Sequence, residues 1–279
     1  DAASLKAVED AEIKKIIAKQ EAVGLEAITD GEYRRAWWHF DFLGHLEGVE
    51  LIDVDQGIQF AGVQTKAQAP RVVGRVNFAD HPMLSHFRYL KAHTKRTPKM
   101  TIPSPSMLHY RGGRKMINMG VYPQMDAFYH DLGQAYRKAV HAFYAEGCRY
   151  LQLDETSLAK LGDPKIQSAL AERGDDWRAL IEVYTDALNA VVDGAPKGMH
   201  IAMHLCRGNQ AGHWQAEGGY DPVAEHLFAR VKAGAYFLEF DSPRAGNFEP
   251  LRKLPDDKVV VLGLVSTKVA TLESADAIE

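Results

Sequence analysis

Short apolar runs alternate with longer amphipathic segments along most of the chain. The runs have the composition of strands that are buried on both faces, and the segments between them repeat apolar residues at helical spacing. Residues 4–23, for example, place Ile13 and Ile17 on one stripe that ends before Gly24. This alternation predicts a parallel sheet in an α/β fold. We predict six strands, over residues 25–29, 99–102, 149–153, 201–203, 235–238 and 258–263.

Residues 36–98, between the first and second predicted strands, have a different pattern. The segment begins with aromatic residues and then alternates apolar and polar residues, which is typical of a β-ribbon. A helix is predicted near Pro82 to His93. We therefore expect a single domain over residues 1–279 that carries an insertion at approximately 36–98. The other predicted helices cover residues 124–146, 176–192 and 222–232.

A (β/α)8 TIM barrel contains eight strand–helix units, and about six are visible in this sequence. The chain starts at Asp1 rather than at Met, inside a predicted helix, and residues 274–279 begin another helix. We therefore expect that the natural chain continues at both ends and that one further strand at each end completes the barrel. The alternative is a doubly wound open sheet. That fold usually has a glycine-rich phosphate loop after its first strand, and the sequence contains none.

Composition and charge narrow the class of protein. Hydrophobic residues make up 46% of the chain and charged residues 25%, which is typical of a soluble globular protein. The net charge of −4 gives no reason to expect a nucleic-acid or membrane partner, and no apolar run approaches the roughly 20 residues of a membrane helix. Two cysteines in 279 residues predict a reducing, cytoplasmic location. The oligomeric state is not indicated.

Polar residues follow nearly every predicted strand, at the edge where barrel enzymes hold their catalytic groups. His204 and Cys206 follow the fourth strand, and Glu239 ends the fifth. Imidazole, thiolate and carboxylate groups all bind zinc, and a catalytic zinc keeps one position for substrate. His204, Cys206 and Glu239 are therefore predicted ligands of Zn2+, which holds a substrate thiol as a thiolate. The alternatives are a buried Cys206 beside a hydrogen-bonded His204, and a Glu239 that is ion-paired with Arg244.

Carboxylates at neighbouring strand ends form a second group of candidates. Glu32 and Asp154 are predicted as catalytic and substrate-binding residues, because two acids can hold a substrate ammonium by charge-assisted hydrogen bonds. For Asp30 and Glu155 we prefer an interpretation as structural ion pairs.

Two further positions are candidate substrate contacts. Trp38 belongs to an aromatic cluster that can stack on a flat ligand, although such a cluster more often packs between an insertion and the main domain. Ser104 lies between two prolines. This rigid loop position indicates a binding contact rather than a nucleophile, because no His–Asp pattern surrounds it.

The order of these elements resembles the catalytic C-terminal domain of cobalamin-independent methionine synthase, and especially the short relatives that lack the duplicated N-terminal half. The resemblance covers nearly the whole chain. Its most specific part is the His-x-Cys element with a Glu one strand later. The matching segments are Asp30–Arg35, Leu151–Glu155, His204–Cys206 and Leu238–Glu239.

The resemblance implies a zinc-dependent methyl transfer from methyltetrahydrofolate to homocysteine, which makes methionine. His204, Cys206 and Glu239 match three of the family's zinc ligands, and Glu32 and Asp154 match the acids that hold the homocysteine amino group. The remaining ligand in the family is a second Cys after the last strand, which the resemblance places beyond residue 279.

Two positions depart from the family's pattern. Thr156 stands where the family commonly has Pro, and residues 262–268 contain no His where the family commonly has one that handles a proton. Three alternatives therefore stay open. They are a related zinc-dependent alkyltransferase with another thiol or donor, a metal-free barrel decarboxylase of the uroporphyrinogen type, and a catalytically silent member that binds a thiol or folate.

Overall fold

The computed structural model describes residues 1–55, 57–65 and 67–279. In that part of the chain the strands are β1 (Ala27–Ile28), β2 (Glu47–Asp53), β3 (Gln59–Phe60), β4 (Val63–Gln64), β5 (Gln68–Asn77), β6 (Thr97–Pro103), β7 (Tyr150–Asp154), β8 (His200–Leu205), β9 (Ala235–Glu239) and β10 (Val259–Gly263). The α-helices are α1 (Ala2–Ala22), α2 (Phe40–Leu43), α3 (Pro82–His93), α4 (Ser106–Tyr110), α5 (Met125–Ala145), α6 (Ser157–Lys160), α7 (Pro164–Glu172), α8 (Trp177–Asp193) and α9 (Ala275–Ile278).

The main sheet has six parallel strands in the order β1-β6-β7-β8-β9-β10. These are the six strands that the apolar runs predict, and they form a curled half-barrel. The prediction of an α/β fold with a parallel sheet is confirmed. The closed (β/α)8 TIM barrel is not confirmed, because β1 and β10 are the two edges of the sheet and do not pair with each other in the described residues.

The segment between β1 and β6 contains two antiparallel pairs, β2 with β5 and β3 with β4. The helix predicted after the ribbon is present as α3, with the bounds Pro82–His93. Pro82 occupies the first helical turn, where its missing N–H costs nothing. His81 caps this helix, because its Nδ1 accepts a hydrogen bond from the backbone N–H of Met83 at 3.2 Å.

The core lies between the sheet and its helices, where one face of α5 and one face of α8 are apolar. In α5 the buried residues recur at helical spacing and include Leu132, Tyr136, Ala139 and Phe143. Helix α8 starts at Asp176, whose side chain accepts from the N–H of Arg178 at 2.9 Å, and packs against α5. No helix in the described ranges is both long and apolar enough to span a bilayer.

One predicted helix has a different geometry, and the short helices α2, α4, α6 and α7 were not predicted. The helix expected over 222–232 is a 3-10 turn (Asp221–Val223) followed by a π-helix (Glu225–Arg230). Helix α7 was not predicted, because it is short and only Leu170 is buried. The other 3-10 turns are Gly113–Met116, Pro243–Ala245 and Glu249–Lys253.

Candidate active site

The register of the sheet brings the predicted site residues to one edge. In β7 and β8, Asp154 pairs with His204, and in β8 and β9, Leu205 pairs with Leu238. Glu239 therefore ends its strand next to Cys206. Parallel strands place their carboxyl ends at the same edge, so these side chains lie on three adjacent strand ends.

His204 and Cys206 line the same cavity, and each shifts the pKa of the other. Burial alone would lower the pKa of His204, but Cys206, Asp154 and Glu239 raise it to about 9. Burial alone would raise the pKa of Cys206, but the charge and hydrogen bond of His204, together with Lys160, lower it. The pair thus favours an imidazolium beside a thiolate, and a thiolate is the form of cysteine that binds metals.

Glu239 is held by three donors. Its Oε1 accepts from Arg244 Nη2 and Lys268 Nζ, both at 2.7 Å, and its Oε2 accepts from the backbone N–H of Arg207 at 2.6 Å. Burial opposes ionisation of this carboxyl, but the bonds from Lys268 and Arg244 dominate and lower its pKa to about 2. The ion pair with Arg244, which the sequence left open as an alternative, is present.

The donor set of these three residues suits zinc, but they are not gathered as ligands. His204, Cys206 and Glu239 line one cavity of about 320 Å³. No group of three or more His, Cys, Asp or Glu side chains is spaced to hold a metal ion within the described ranges. The ammonium of Lys268 neutralises Glu239 instead. A nitrogen, a thiolate and an ionised carboxylate around a shared space nevertheless fit the chemistry of a zinc site, provided that the imidazolium of His204 loses a proton and that Lys268 gives up Oε1 of Glu239.

A larger cavity of about 500 Å³ opens on the other side of His204 and Cys206. Glu32 and Asp154 lie on its wall, as the sequence predicted for a site that binds an ammonium group. Burial is the largest influence on both carboxyls and raises the pKa of each. Gln152 donates to Oδ1 of Asp154 at 2.7 Å, so this carboxylate is oriented by its own strand.

Local backbone geometry directs Glu32 toward this cavity. The carboxylate of Asp30 accepts from the N–H of Glu32 at 2.9 Å, which closes a turn directly after β1. Glu32 itself has a φ of 59°, a left-handed conformation that is uncommon for a residue with a Cβ. Its Oε1 accepts from Thr101 Oγ1 at 2.8 Å and lies 3.3 Å from Arg35 Nη1. The carboxylate is thus held between strands β1 and β6.

Trp37 and Trp38 both line the larger cavity. Trp38 also packs against the core. It therefore has one side available to a ligand in the cavity and another that contributes to packing. Nε1 of Trp37 is shielded from solvent and has no hydrogen-bond partner in the part of the chain that the structure describes.

Ser104 lies elsewhere. It is fully buried and donates to Oε2 of Glu155 at 2.6 Å. It is not part of the cavity wall, so its predicted contact with substrate has no support in this geometry. Glu155 was expected to form an ion pair, but it accepts hydrogen bonds from three serines, including Ser106 and Ser157.

Several cavity residues were missed at the level of sequence. Arg111 and Lys160 lie on the wall beside Cys206, and Lys160 Nζ donates a hydrogen bond to Oε1 of Gln215 at 2.5 Å. Burial lowers the pKa of Lys160 to about 8 and that of Arg111 to about 10. Arg111 follows α4 and Gln215 belongs to a long loop after β8, so neither directly follows a strand. Only Lys160, a few residues after Asp154, lay close to a recognised motif.

Comparison with known proteins gives a consistent result. The family model described as "Cobalamin-independent synthase, Catalytic domain" matches residues 1–279. An uncharacterised protein of Bacillus subtilis (strain 168), YxjG, is 44% identical over 280 residues, which cover 100% of this chain and 74% of that protein.

Two solved structures share the fold. One is from Listeria monocytogenes and is assigned provisionally as a vitamin-B12-independent methionine synthase. Its TM-score is 0.77 and its sequence is 38% identical. The match covers 98% of this chain and 74% of the Listeria chain. The other is a B12-independent methionine synthase from Shewanella sp. W3-18-1 in complex with selenomethionine. Its TM-score is 0.68 and its sequence is 17% identical, and the match covers 97% of this chain and 74% of the Shewanella chain. At that level of identity the similarity concerns the fold alone.

The family model spans every residue of the chain. The chain therefore belongs to the cobalamin-independent methionine synthase family, and it is a methyltransferase that corresponds to the family's catalytic domain.

Proposed function

We propose that this methyltransferase moves a methyl group to a zinc-activated thiol, with homocysteine as the acceptor, methyltetrahydrofolate as the donor and methionine as the product. The observation that carries the proposal is the position of His204, Cys206 and Glu239 on two adjacent strand ends around one cavity. Zinc bound there would ionise the substrate thiol and hold it as a nucleophile near neutral pH.

The chain's own residues contribute binding and orientation. Glu32 and Asp154 face the larger cavity as acids and would hold the amino group of homocysteine by charge-assisted hydrogen bonds. Because Asp154 is paired with His204 in the sheet, the amino group and the sulfur of one small amino acid can reach their partners together. Fixing both ends in this way lowers the entropic cost of bringing the thiol to the methyl carbon.

A related zinc-dependent alkyltransferase with another donor is the second candidate. The observation that favours it is the segment after β10, where the family commonly has a His and this chain has Lys268 bonded to Glu239 and Asp241. The family match gives no support to a metal-free decarboxylase.

The proposal is tested by methyl transfer from methyltetrahydrofolate to homocysteine with the Cys206→Ser variant. Loss of at least a hundredfold in rate is expected, because the thiolate ligand is removed. Cys148→Ser is the matched control: Cys148 is buried outside the site and donates to the carbonyl of Tyr150 at 3.3 Å, a bond that serine also makes. Equal rates in the two variants would contradict the proposal. A wild-type protein that alkylates homocysteine only with a different donor would support the second candidate.

A further inference from the structure

Three nitrogen-bearing side chains, which we call the cationic cluster, line the larger cavity beside Cys206: His39, Arg111 and Lys160. His39 is fully buried, and neither of its ring nitrogens has a hydrogen-bond partner within residues 1–55, 57–65 and 67–279. Nε of Arg111 is likewise shielded from solvent and has no partner in those ranges. Buried polar groups are nearly always hydrogen-bonded in folded proteins, so three unpaired atoms on one cavity wall require an explanation.

The cluster also lacks a counter-charge. In the described part of the chain no carboxylate lies within ion-pair distance of Arg111 or Lys160, whereas Arg35, Arg207 and Arg244 around the same strand ends all have one. Among the residues that the structure describes, Lys160 bonds only to neutral oxygens, those of Thr156 and Gln215. The anions that act on Lys160 from farther away are Cys206, Glu155 and Glu239, and the two carboxylates are already bonded to other donors.

Two uncompensated cations at a buried wall are costly for the protein alone. Removing a charge from water is unfavourable unless an opposite charge and hydrogen bonds replace the water. Burial, together with the two cations, holds the pKa of His39 well below its usual range, so its imidazole is neutral and presents one N–H donor. A guanidinium, an ammonium and an imidazole N–H around one space form a set of donors that matches an oxyanion.

We propose that the cationic cluster binds an oxyanion group, such as a carboxylate, of a substrate whose reacting part lies at Cys206. The identity of that substrate rests on the proposed function, but the anion site does not. The cavity then has an acidic wall, formed by Glu32 and Asp154, and a second wall formed by the cationic cluster. The oxyanion belongs either to the carboxylate of the amino-acid acceptor or to an acidic group of the methyl donor.

The first experiment uses inorganic phosphate as the probe, with the full chain at constant ionic strength. Trp37 and Trp38 line the cavity, so tryptophan fluorescence reports occupancy. We expect a saturable change in the wild type that weakens at least tenfold in Arg111→Met and in Lys160→Met. Lys115→Met is the control, because Lys115 is exposed and outside this cavity. Equal binding in all four proteins, or no saturable binding in the wild type, would overturn the anion site.

A second readout separates a ligand site from a structural role. If the cations serve a ligand, their replacement by Met removes an unpaired buried charge, and the urea midpoint of the ligand-free protein stays equal or rises. A lower midpoint in both variants, with phosphate binding retained, would show that the cluster is structural. Arg111→Lys, which keeps the charge, should retain most of the phosphate affinity.

The third arm identifies the source of the oxyanion. Homocysteine, its decarboxylated analogue 3-aminopropanethiol and methyltetrahydrofolate are titrated against the wild type and Lys160→Met. A tenfold loss for homocysteine alone assigns the acceptor carboxylate, and a tenfold loss for methyltetrahydrofolate alone assigns the donor. Unchanged affinity for every ligand that the wild type binds would overturn the inference. If the wild type binds none of them, the proposed function fails, and the phosphate arm still decides the anion site.

Discussion

Burial and charge act in opposite directions on the residues of the strand-end site. Burial disfavours an ionised Glu239 and a charged His204, yet their neighbours keep both charged. Glu32 and Asp154 differ, since burial dominates there and raises the pKa of each. The site therefore contains acids of two kinds: one that is ionised far below neutral pH, and two whose ionisation a bound cation would favour.

Substitution at Asp154 tests the ammonium-binding role. Asp154→Asn keeps the shape of the side chain but removes its charge, so the KM for homocysteine should rise at least tenfold while binding of zinc is unchanged. The measurement is steady-state kinetics with homocysteine and with 4-mercaptobutyrate, which is homocysteine without its amino group. The prediction is wrong if the variant discriminates between the two thiols as well as the wild type does.

Glu155 allows a prediction about stability at the same scale. Its buried carboxylate accepts from the backbone N–H groups of Ser157 and Leu158, at 2.7 and 2.8 Å, and from serine hydroxyls. Glu155→Ala leaves those buried donors unpaired and should cost about 3 to 5 kcal/mol. Glu155→Gln keeps one acceptor oxygen for the N–H groups, while the hydroxyls can rotate, and should cost about 1 kcal/mol. Urea unfolding compares the two, and equal losses would contradict this account of the loop.

Helix α3 shows how a single side chain sets the start of an element. The Nδ1 of His81 caps the helix and its Nε2 donates to the carbonyl of Phe42 at 3.1 Å, so the neutral ring satisfies both groups. Burial lowers the pKa of His81 to about 4. Its folded-state pKa is thus below the unfolded value near 6.5.

This depressed pKa makes stability depend on pH. Above pH 6.5 the ring is neutral in both states, and as pH falls toward 4 the unfolded chain takes up the proton first, so the contribution of His81 to stability is lost over that window. The wild type should lose about 2 kcal/mol between pH 7 and pH 5 through this residue. His81→Asn keeps a capping oxygen without the titration. Urea unfolding at the two pH values should show a smaller loss for the variant, and an identical loss would contradict the assignment.

The elements themselves were largely predictable, because the signals that define them are local. Each of the six sheet strands was read from its apolar run, and α3 was predicted with its observed bounds. The π-helix at Glu225–Arg230 was read as an α-helix, since its apolar residues recur at a similar spacing. The role of Ser104 was not predictable, because its partner Glu155 is 51 residues away in the chain.

At the scale of the molecule, the curled parallel sheet gathers side chains that the sequence keeps far apart. His204, Cys206 and Glu239 could be found from their places after strands. The cations around them could not. Arg111 and Lys160 reach the site from the ends of two short helices and Lys268 from a loop, and tertiary packing sets the paths of these segments. Sequence periodicity therefore predicts which edge of the sheet holds the candidate site residues. The cations that surround those residues are identified only in the structure.

Zinc content tests the central claim most directly. The full chain is purified under reducing conditions without chelator, and its zinc is measured by elemental analysis beside the Cys206→Ser and Cys148→Ser variants. The account predicts about one zinc per chain in the wild type and in Cys148→Ser, as expected for a single catalytic site, and little or none in Cys206→Ser. A wild-type protein that methylates homocysteine while free of zinc, or a Cys206→Ser variant with full zinc, would contradict it.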